Sequence, residues 1–296
     1  MKYGDVTLGQ VEAAINKLGG RGVWDAWLRG EKTVTVEDAI RLLFDKHGRR
    51  IPENLRASVC DANTNFRLNQ PGLDYDAQYA NRIMRLHGCL AVDTGSTAEQ
   101  LRIETERLLA LIRGNAQIAN IVNGVWLPVV MPPFVGDDLG TVLEQYLEGV
   151  DKSYVKTFSD RRFNNYRKGT LAGKVSVVDG SRHDQLTDRM KQGSVMGIHF
   201  PNPLQGYSIS ADREQMKTLP RGFILSGVDA LIAMMMYPEI LARDGDTPGL
   251  GLAAFSWQSV DYSLLFTASG ENLGFVHMDN LVYARGNCSG GLLFLG

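Results

Sequence analysis

Arg221-Gly222-Phe223-Ile224-Leu225-Ser226-Gly227-Val228-Asp229-Ala230-Leu231-Ile232-Ala233-Met234-Met235-Met236-Tyr237, held between Pro220 and Pro238, is the stretch on which the fold turns. Ten of its seventeen side chains are large and apolar or aromatic. Fully burying one such side chain is worth roughly 1.5–3 kcal/mol, and ordering a residue's backbone costs about 1–2 kcal/mol. The segment is therefore stable only if nearly all of it lies inside. A membrane span would need about 20 apolar residues without charge. Here two prolines cut the run short and Asp229 sits within it, so a span is rejected.

Inside the stretch the pattern changes. Phe223–Leu225 reads as a short strand covered on both faces. Ser226-Gly227 breaks it. Ser226 reads as a helix N-cap, and Asp229 as an acid in the first turn, where the helix dipole favours it. Leu231, Ile232, Met235 and Met236 then recur at helical spacing. In open α/β sheets, turns at the carboxyl ends of strands are where ligands usually sit. Asp229 is thus a candidate catalytic residue beside its plainer role as a capping acid.

Downstream of Asp244-Gly-Asp-Thr-Pro-Gly249, a loop by composition, strands are expected over 252–257, 262–267, 274–277, 281–284 and 292–295. Upstream, strands and helices alternate: strand 125–131, helix 138–155, strand 175–178, helix 181–192, strand 195–200, a stiff loop at Pro201-Asn202-Pro203 and a helical turn over 211–218. Before Gly124 the signal is helical. Helices are expected from Pro52 to Cys60, from Tyr75 to His87, and from Ala98 to Arg113 behind the capping box Thr97-Ala-Glu-Gln100. The fold class is therefore α/β (α+β): a helical middle over 52–122 and a mixed, partly parallel sheet over 125–296 that ends in an antiparallel meander.

Residues 1–48 read as a separate module of three short helices. Thr7 and Gln10 make a capping box ahead of Leu8, Val11, Ile15 and Leu18. Val23, Trp24, Trp27 and Leu28 mark a second helix, and residues 36–46 a third, capped by Thr35. The basic joint Gly-Arg-Arg-Ile-Pro (48–52) separates this module from a domain over 49–296. Leu18-Gly-Gly20 leading to Trp27-Leu-Arg-Gly-Glu31 resembles the helix-turn-helix of phage-repressor-type DNA-binding domains. The intervening segment is about one residue short and offers few polar residues to a groove. An interaction module is the better reading.

With 296 residues, the chain suits one large or two moderate domains. Its 31 Lys and Arg against 33 Asp and Glu advertise neither nucleic acid nor an anionic membrane. Cys60, Cys89 and Cys288 are few, odd in number and scattered, which fits a reducing cytoplasm rather than a disulfide framework. No secretory h-region precedes the first helix.

One stretch departs from this average. Between Lys152 and Lys174 there are seven Lys or Arg against one acid, Asp160, with Tyr154, Phe158, Phe163 and Tyr166 interleaved. Positive charge follows phosphates and flat rings stack on unpaired bases. Lys156, Arg161, Arg162, Tyr166, Arg167 and Lys168 are the nucleic-acid-binding candidates. The plainer reading is a solvated helix end and a charged edge strand.

The second candidate is Gly-Asn-Cys-Ser-Gly-Gly (286–291). A thiol in a glycine-rich turn, with backbone amides free to hold an oxyanion, is what acyl transfer needs. The motif resembles the nucleophile loop of chymotrypsin-like cysteine proteases, but only five residues follow Gly291. Cys288 would be the nucleophile, with His183, His199 or His277 as base. The plainer reading is a hairpin turn with a packed cysteine.

His183-Asp184 with Asp179 lacks the spacing of a metal motif, and no phosphate-binding glycine loop occurs. Neither a metal nor a cofactor is expected.

Leu8-Gly-Gln10 through Leu28-Arg-Gly-Glu31, with Phe200-Pro-Asn-Pro-Leu-Gln-Gly206 and Asp246-Thr-Pro-Gly-Leu250, resembles uncharacterised proteins predicted from bacterial genomes. The resemblance spans most of the chain and implies no activity or site. The leading expectation is a non-catalytic cytoplasmic binding or regulatory protein that contacts nucleic acid or a protein partner. The alternative is a cysteine-dependent hydrolase.

Overall fold

The computed structural model describes residues 6–35 and 40–296. In chain order these form α1 (Leu8–Lys17), α2 (Arg21–Leu28), α3 (Asp76–Leu90), α4 (Ala98–Arg113), β1 (Leu127–Met131), α5 (Leu139–Thr157), β2 (Arg162–Asn165), β3 (Val175–Val177), α6 (His183–Gln192), β4 (Val195–Gln205), α7 (Ile209–Gln215), β5 (Phe223–Leu225), α8 (Val228–Met236), α9 (Pro238–Leu241), β6 (Gly249–Gly251), β7 (Phe255–Trp257), β8 (Ser263–Ser269), β9 (Asn272–Met278) and β10 (Cys288–Phe294). The fold is α/β, with a mixed, mostly antiparallel sheet. The chain divides into two compact units, Met1–Arg41 and Leu42–Gly296. Among the described residues no helix is long and apolar enough to cross a membrane.

In the first unit, α1 carries the expected capping box between Thr7 and Gln10. Ala26 is the buried residue of α2, and α1 has none. Leu8 and Leu28 are 87% and 64% exposed.

The second unit is organised around α8. All nine of its residues are buried, so it has no polar face, the pattern of a helix at the centre of a core. It packs against α3, α5 and β1. Its C-terminal carbonyl, on Met236, accepts hydrogen bonds from Arg82 (3.0 Å) and Arg85 (3.2 Å), both on α3. The Ser153 hydroxyl on α5 donates to Met235 O at 2.7 Å. Glu239 holds both arginines in place. At the C-cap, Tyr237 donates its hydroxyl to Pro128 O at 2.8 Å, closing the outer edge of β1.

Beside α8 lies the sheet, in the order β1-β4-β10-β6-β8-β9-β2 among the described residues. β10 is its hub. β4 runs antiparallel along one edge. The other edge is shared by β5, antiparallel at Leu292–Phe294, and β6, parallel at Cys288–Gly290. The carboxyl ends of β5 and β6 therefore meet head-on beside Gly290 and Gly291, where both chains leave the sheet.

Several expectations give way to tertiary partners. Of the third helix expected over 36–46, residues 36–39 lie outside the described residues, and 40–46 are not helical. Instead Leu43 N–H donates to Gln117 O at 2.8 Å and Phe44 bridges Arg50. Both side chains are buried in the larger unit's core. No helix forms at 52–60, because Arg56 and Ala57 give their N–H groups to the Glu214 carboxylate and Val59 pairs with Tyr207. Pro201-Asn202-Pro203 is not a loop but part of β4. From Gly290 to Leu292 β10 advances two residues while β4 advances four, from Phe200 to Leu204, so the prolines sit in a bulge where a missing N–H is tolerated. The strand expected over 281–284 is irregular, with Val282 and Tyr283 exposed.

The central packing predicts a sharp contrast. Phe223→Ala, in the core under α8, should lower unfolding free energy by about 3–5 kcal/mol. Met84→Ala, 62% exposed on α3, should change it by less than about 0.5 kcal/mol. Urea denaturation of both variants measures this.

Candidate functional site

Two glycines at the middle of β10 each make room for buried polar side chains, one on each face of the sheet. Successive residues of a strand point to opposite faces. A Cβ on Gly291 would fall 2.9 Å from both His199 Cε1 and Ser226 Cβ, and one on Gly290 would fall 2.3 Å from Asp212 Oδ2.

On the Gly291 face, Asp229 is the centre. Its Oδ2 accepts from the Ser226 hydroxyl at 2.6 Å and from His199 Nδ1 at 2.7 Å, and its Oδ1 accepts from Gly227 N–H at 2.7 Å. His183 completes the knot. Its Nε2 accepts from Val228 N–H at 3.2 Å, so the ring proton sits on Nδ1, which donates to Leu225 O at 3.2 Å. Ser226 is therefore not the N-cap: Gly227 holds that position, and Asp229 folds back to satisfy its amide. The structure thus gathers three of the sequence-derived candidates, Asp229, His199 and His183, around the first turn of α8.

The knot does not have the order of a catalytic triad. There, the serine faces one imidazole nitrogen and the acid the other. Here Ser226 and Asp229 both lie on the Nδ1 side of His199, and Nε2 has no partner among the described residues. All four side chains are at most 1% exposed, which leaves a substrate no access.

Burial by itself would push Asp229 up. The His199 bond and charge, the nearby His183 ring and the Gly227 amide outweigh it, and the carboxyl lies below its ordinary range. Burial also holds His183 below the usual imidazole value of 6.5. Both groups bind protons more readily in the unfolded chain. Their contributions are therefore present above the unfolded values and are lost as pH falls toward the folded ones.

Cys288 lies on the Gly290 face, its Sγ over Gly249. Burial pushes its thiol up, Arg285 draws it down, and Asp212 and Cys60 add to the rise; no histidine acts on it. The structure therefore does not bring Cys288 together with His183 or His199. Asp212, which sequence reasoning missed, is fully buried on α7. Its local signal was no more than an acid on a short amphipathic turn.

The basic stretch is divided between structure and surface. Arg161 donates to Arg243 O and lies over the Phe158 ring at 4.3 Å. Arg167 lies over Trp257 at 5.0 Å. Tyr154 is buried, and Phe158 and Phe163 are half-buried. Lys156, Arg162, Tyr166 and Lys168 are exposed, the last three on or beside edge strand β2. Lys168 also shares a groove with Glu144, Glu148 and Asp151 of α5. Among the described residues no three His, Cys, Asp or Glu side chains are placed to hold a metal ion.

A cleft of about 760 Å³ is formed where residues 45–62 cross the end of β4. Asp45, Arg49, Cys60, Asp61, Gln205 and Tyr207 are on its walls. Gln205 fixes the cleft: its Nε2 donates to the carbonyls of Asn63 (3.2 Å), Phe66 (3.0 Å) and Gly286 (2.9 Å). Its buried Oε1 has no partner among the described residues.

The knot predicts an acid limb of stability. Unfolding free energy should fall as pH drops below about 6.5, where an unfolded histidine takes a proton. The loss between pH 6.5 and 5 should be smaller in His183→Gln. Urea titrations at stepped pH measure both curves.

No family model, curated protein or solved structure matches the chain.

Proposed function

We propose that the chain is a non-catalytic binding protein whose ligand sits in the polar cleft beside Gln205. The observation that carries this reading is the separation across β10. The thiol lies on one face, while His183 and His199 lie sealed on the other, and His277 packs against Trp257 and Tyr262. A nucleophile without a base in reach, its thiol raised by burial, is a poor start for acyl transfer. The cleft, in contrast, is ligand-sized. Its walls offer a guanidinium, carboxylates and an amide, which suits a polar ligand carrying both donors and acceptors. The three cysteines are free, which suits a reducing cytoplasm.

A second reading has its own support. Tyr166 is 60% exposed beside the exposed Arg162 and Lys168, an arrangement that suits a single-stranded nucleic acid. The acids of α5 nearby weaken it.

Cys60 is exposed and lines the cleft, so its thiol reports on occupancy. Near neutral pH, iodoacetamide should modify Cys60 faster than Cys288 or Cys89. A ligand found among nucleotides, amino acids and dipeptides should slow Cys60 labelling, and Arg49→Ala with Asp61→Ala should remove that protection. Fast, selective labelling of Cys288 would favour the hydrolase instead. For the second reading, binding of a labelled oligothymidine at low salt should disappear in Arg162→Glu with Lys168→Glu.

A further inference from the structure

A separate groove of about 420 Å³ lies on the outer face of the ribbon formed by β3 and β7. The inner face of the ribbon is apolar. Val175 lies opposite Trp257 and Val177 opposite Phe255, and Val175, Phe255 and Trp257 belong to the core. Side chains alternate along a strand, so Ser176 and Ser256, which lie opposite each other, point outward and form the floor of the groove. The turn from Gln258 to Val260 makes one wall. Gln258 is held in the left-handed region (φ 64°), a strained conformation for a residue with a side chain. Its N–H donates to Lys174 O at 2.7 Å and fixes the turn to β3. Val260 in that wall is 71% exposed, an apolar contact left uncovered.

The two edges of the ribbon differ. On the β7 side the main chain is committed: Trp257 N–H donates to Tyr262 O, Phe255 N–H donates to Leu252 O, and Phe255 O accepts from Arg213. On β3, the bonds from Gln258 N–H to Lys174 O and from Val178 N–H to Ala254 O set the alternation, so residues 174, 176 and 178 face β7. Val175 and Val177 therefore turn their N–H and C=O groups to the opposite edge. None of these groups has a hydrogen-bond partner among the described residues. Two charges mark the ends of this open edge. Lys174, just before β3, and Asp179, just beyond it, both line the groove. Neither side chain has an ion pair or hydrogen bond among the described residues.

We infer that β3 takes up a short peptide as a third strand of the ribbon, antiparallel to it, with a free amino end at Asp179 and a free carboxylate at Lys174. A peptide added to a sheet edge draws its affinity from main-chain hydrogen bonds and its specificity from alternate side chains. Val175 and Val177 offer two donors and two acceptors for this. Charge sets the direction. An antiparallel peptide places its ammonium beside Asp179 and its carboxylate beside Lys174, whereas a parallel one would set like charges together. At about 3.3 Å per residue, the strand between the two charges matches a peptide of about three or four residues. Side chains that point onto the serine floor must be small. The groove shares no lining residue with the cleft beside Gln205.

The test is isothermal titration of the full chain with tetra-alanine, which offers main chain, two charged ends and small side chains. Saturable binding is expected. Tetra-alanine acetylated at its amino end and amidated at its carboxyl end should bind about fivefold more weakly. Tetra-alanine N-methylated on every amide keeps both charges and should not bind. Lys174→Glu with Asp179→Lys, at two exposed positions, should weaken the free peptide by about tenfold or more. Arg49→Ala with Asp61→Ala, in the other cleft, should leave it unchanged. No saturable binding, or equal binding of the free peptide and either modified one, would overturn the site. So would binding that survives the charge reversal. Binding lost in Arg49→Ala with Asp61→Ala would assign the peptide to the cleft beside Gln205 and overturn this site while supporting that one.

Discussion

A helix without a polar face can lie inside a protein only if the backbone groups at its two ends find partners there. The first N–H groups and the last carbonyls of any helix lack intrahelical partners, and away from water each unpaired group is costly. α8 is buried on every residue. The rest of the larger unit supplies what its ends require. At the N-terminus Asp229 takes the Gly227 amide and His183 takes that of Val228. At the C-terminus Ser153, Arg82 and Arg85 reach its carbonyls. These partners come from α3, α5 and α6 and from α8 itself, so the caps also tie the layers together.

The same requirement explains why serine, histidine and aspartate meet here without forming a reactive site. Asp229 is charged and buried, and it is held by donors on both oxygens. Ser226 spends its proton on Asp229 rather than presenting its oxygen to an imidazole. Two adjacent glycines in β10 then serve as clearances, Gly291 for this knot and Gly290 for Asp212 on the far face. What reads in sequence as an amide-rich turn around a nucleophile becomes, in the fold, space for His199 and Ser226 on one face and for the Asp212 carboxylate on the other.

How much of this was legible depended on whether the signal was local. The unit from Phe223 to Met236 could be read directly, because an apolar block, a Ser-Gly break and helical spacing lie within one short run. α4 could be read from its capping box and periodicity. Residues 40–60 could not, because their backbone partners, Gln117, Glu214 and Tyr207, lie far along the chain. Pro201 and Pro203 argued for a loop, since a bulge is set by the neighbouring strand and leaves no mark in its own sequence. Asp229 was singled out on local grounds. Its pairing with His199, thirty residues away, and the isolation of Asp212 are properties of packing alone.

The capping account is tested most directly by urea unfolding of Asp229→Asn near neutral pH, beside the unaltered chain. An amide cannot carry the charge or accept at both positions, so the knot loses its centre while its volume is kept. A loss of about 3–5 kcal/mol is predicted, as for removal of one partner from a buried pair. A loss below about 0.5 kcal/mol would contradict the account, because the buried end of α8 would then stand without the carboxylate that holds it.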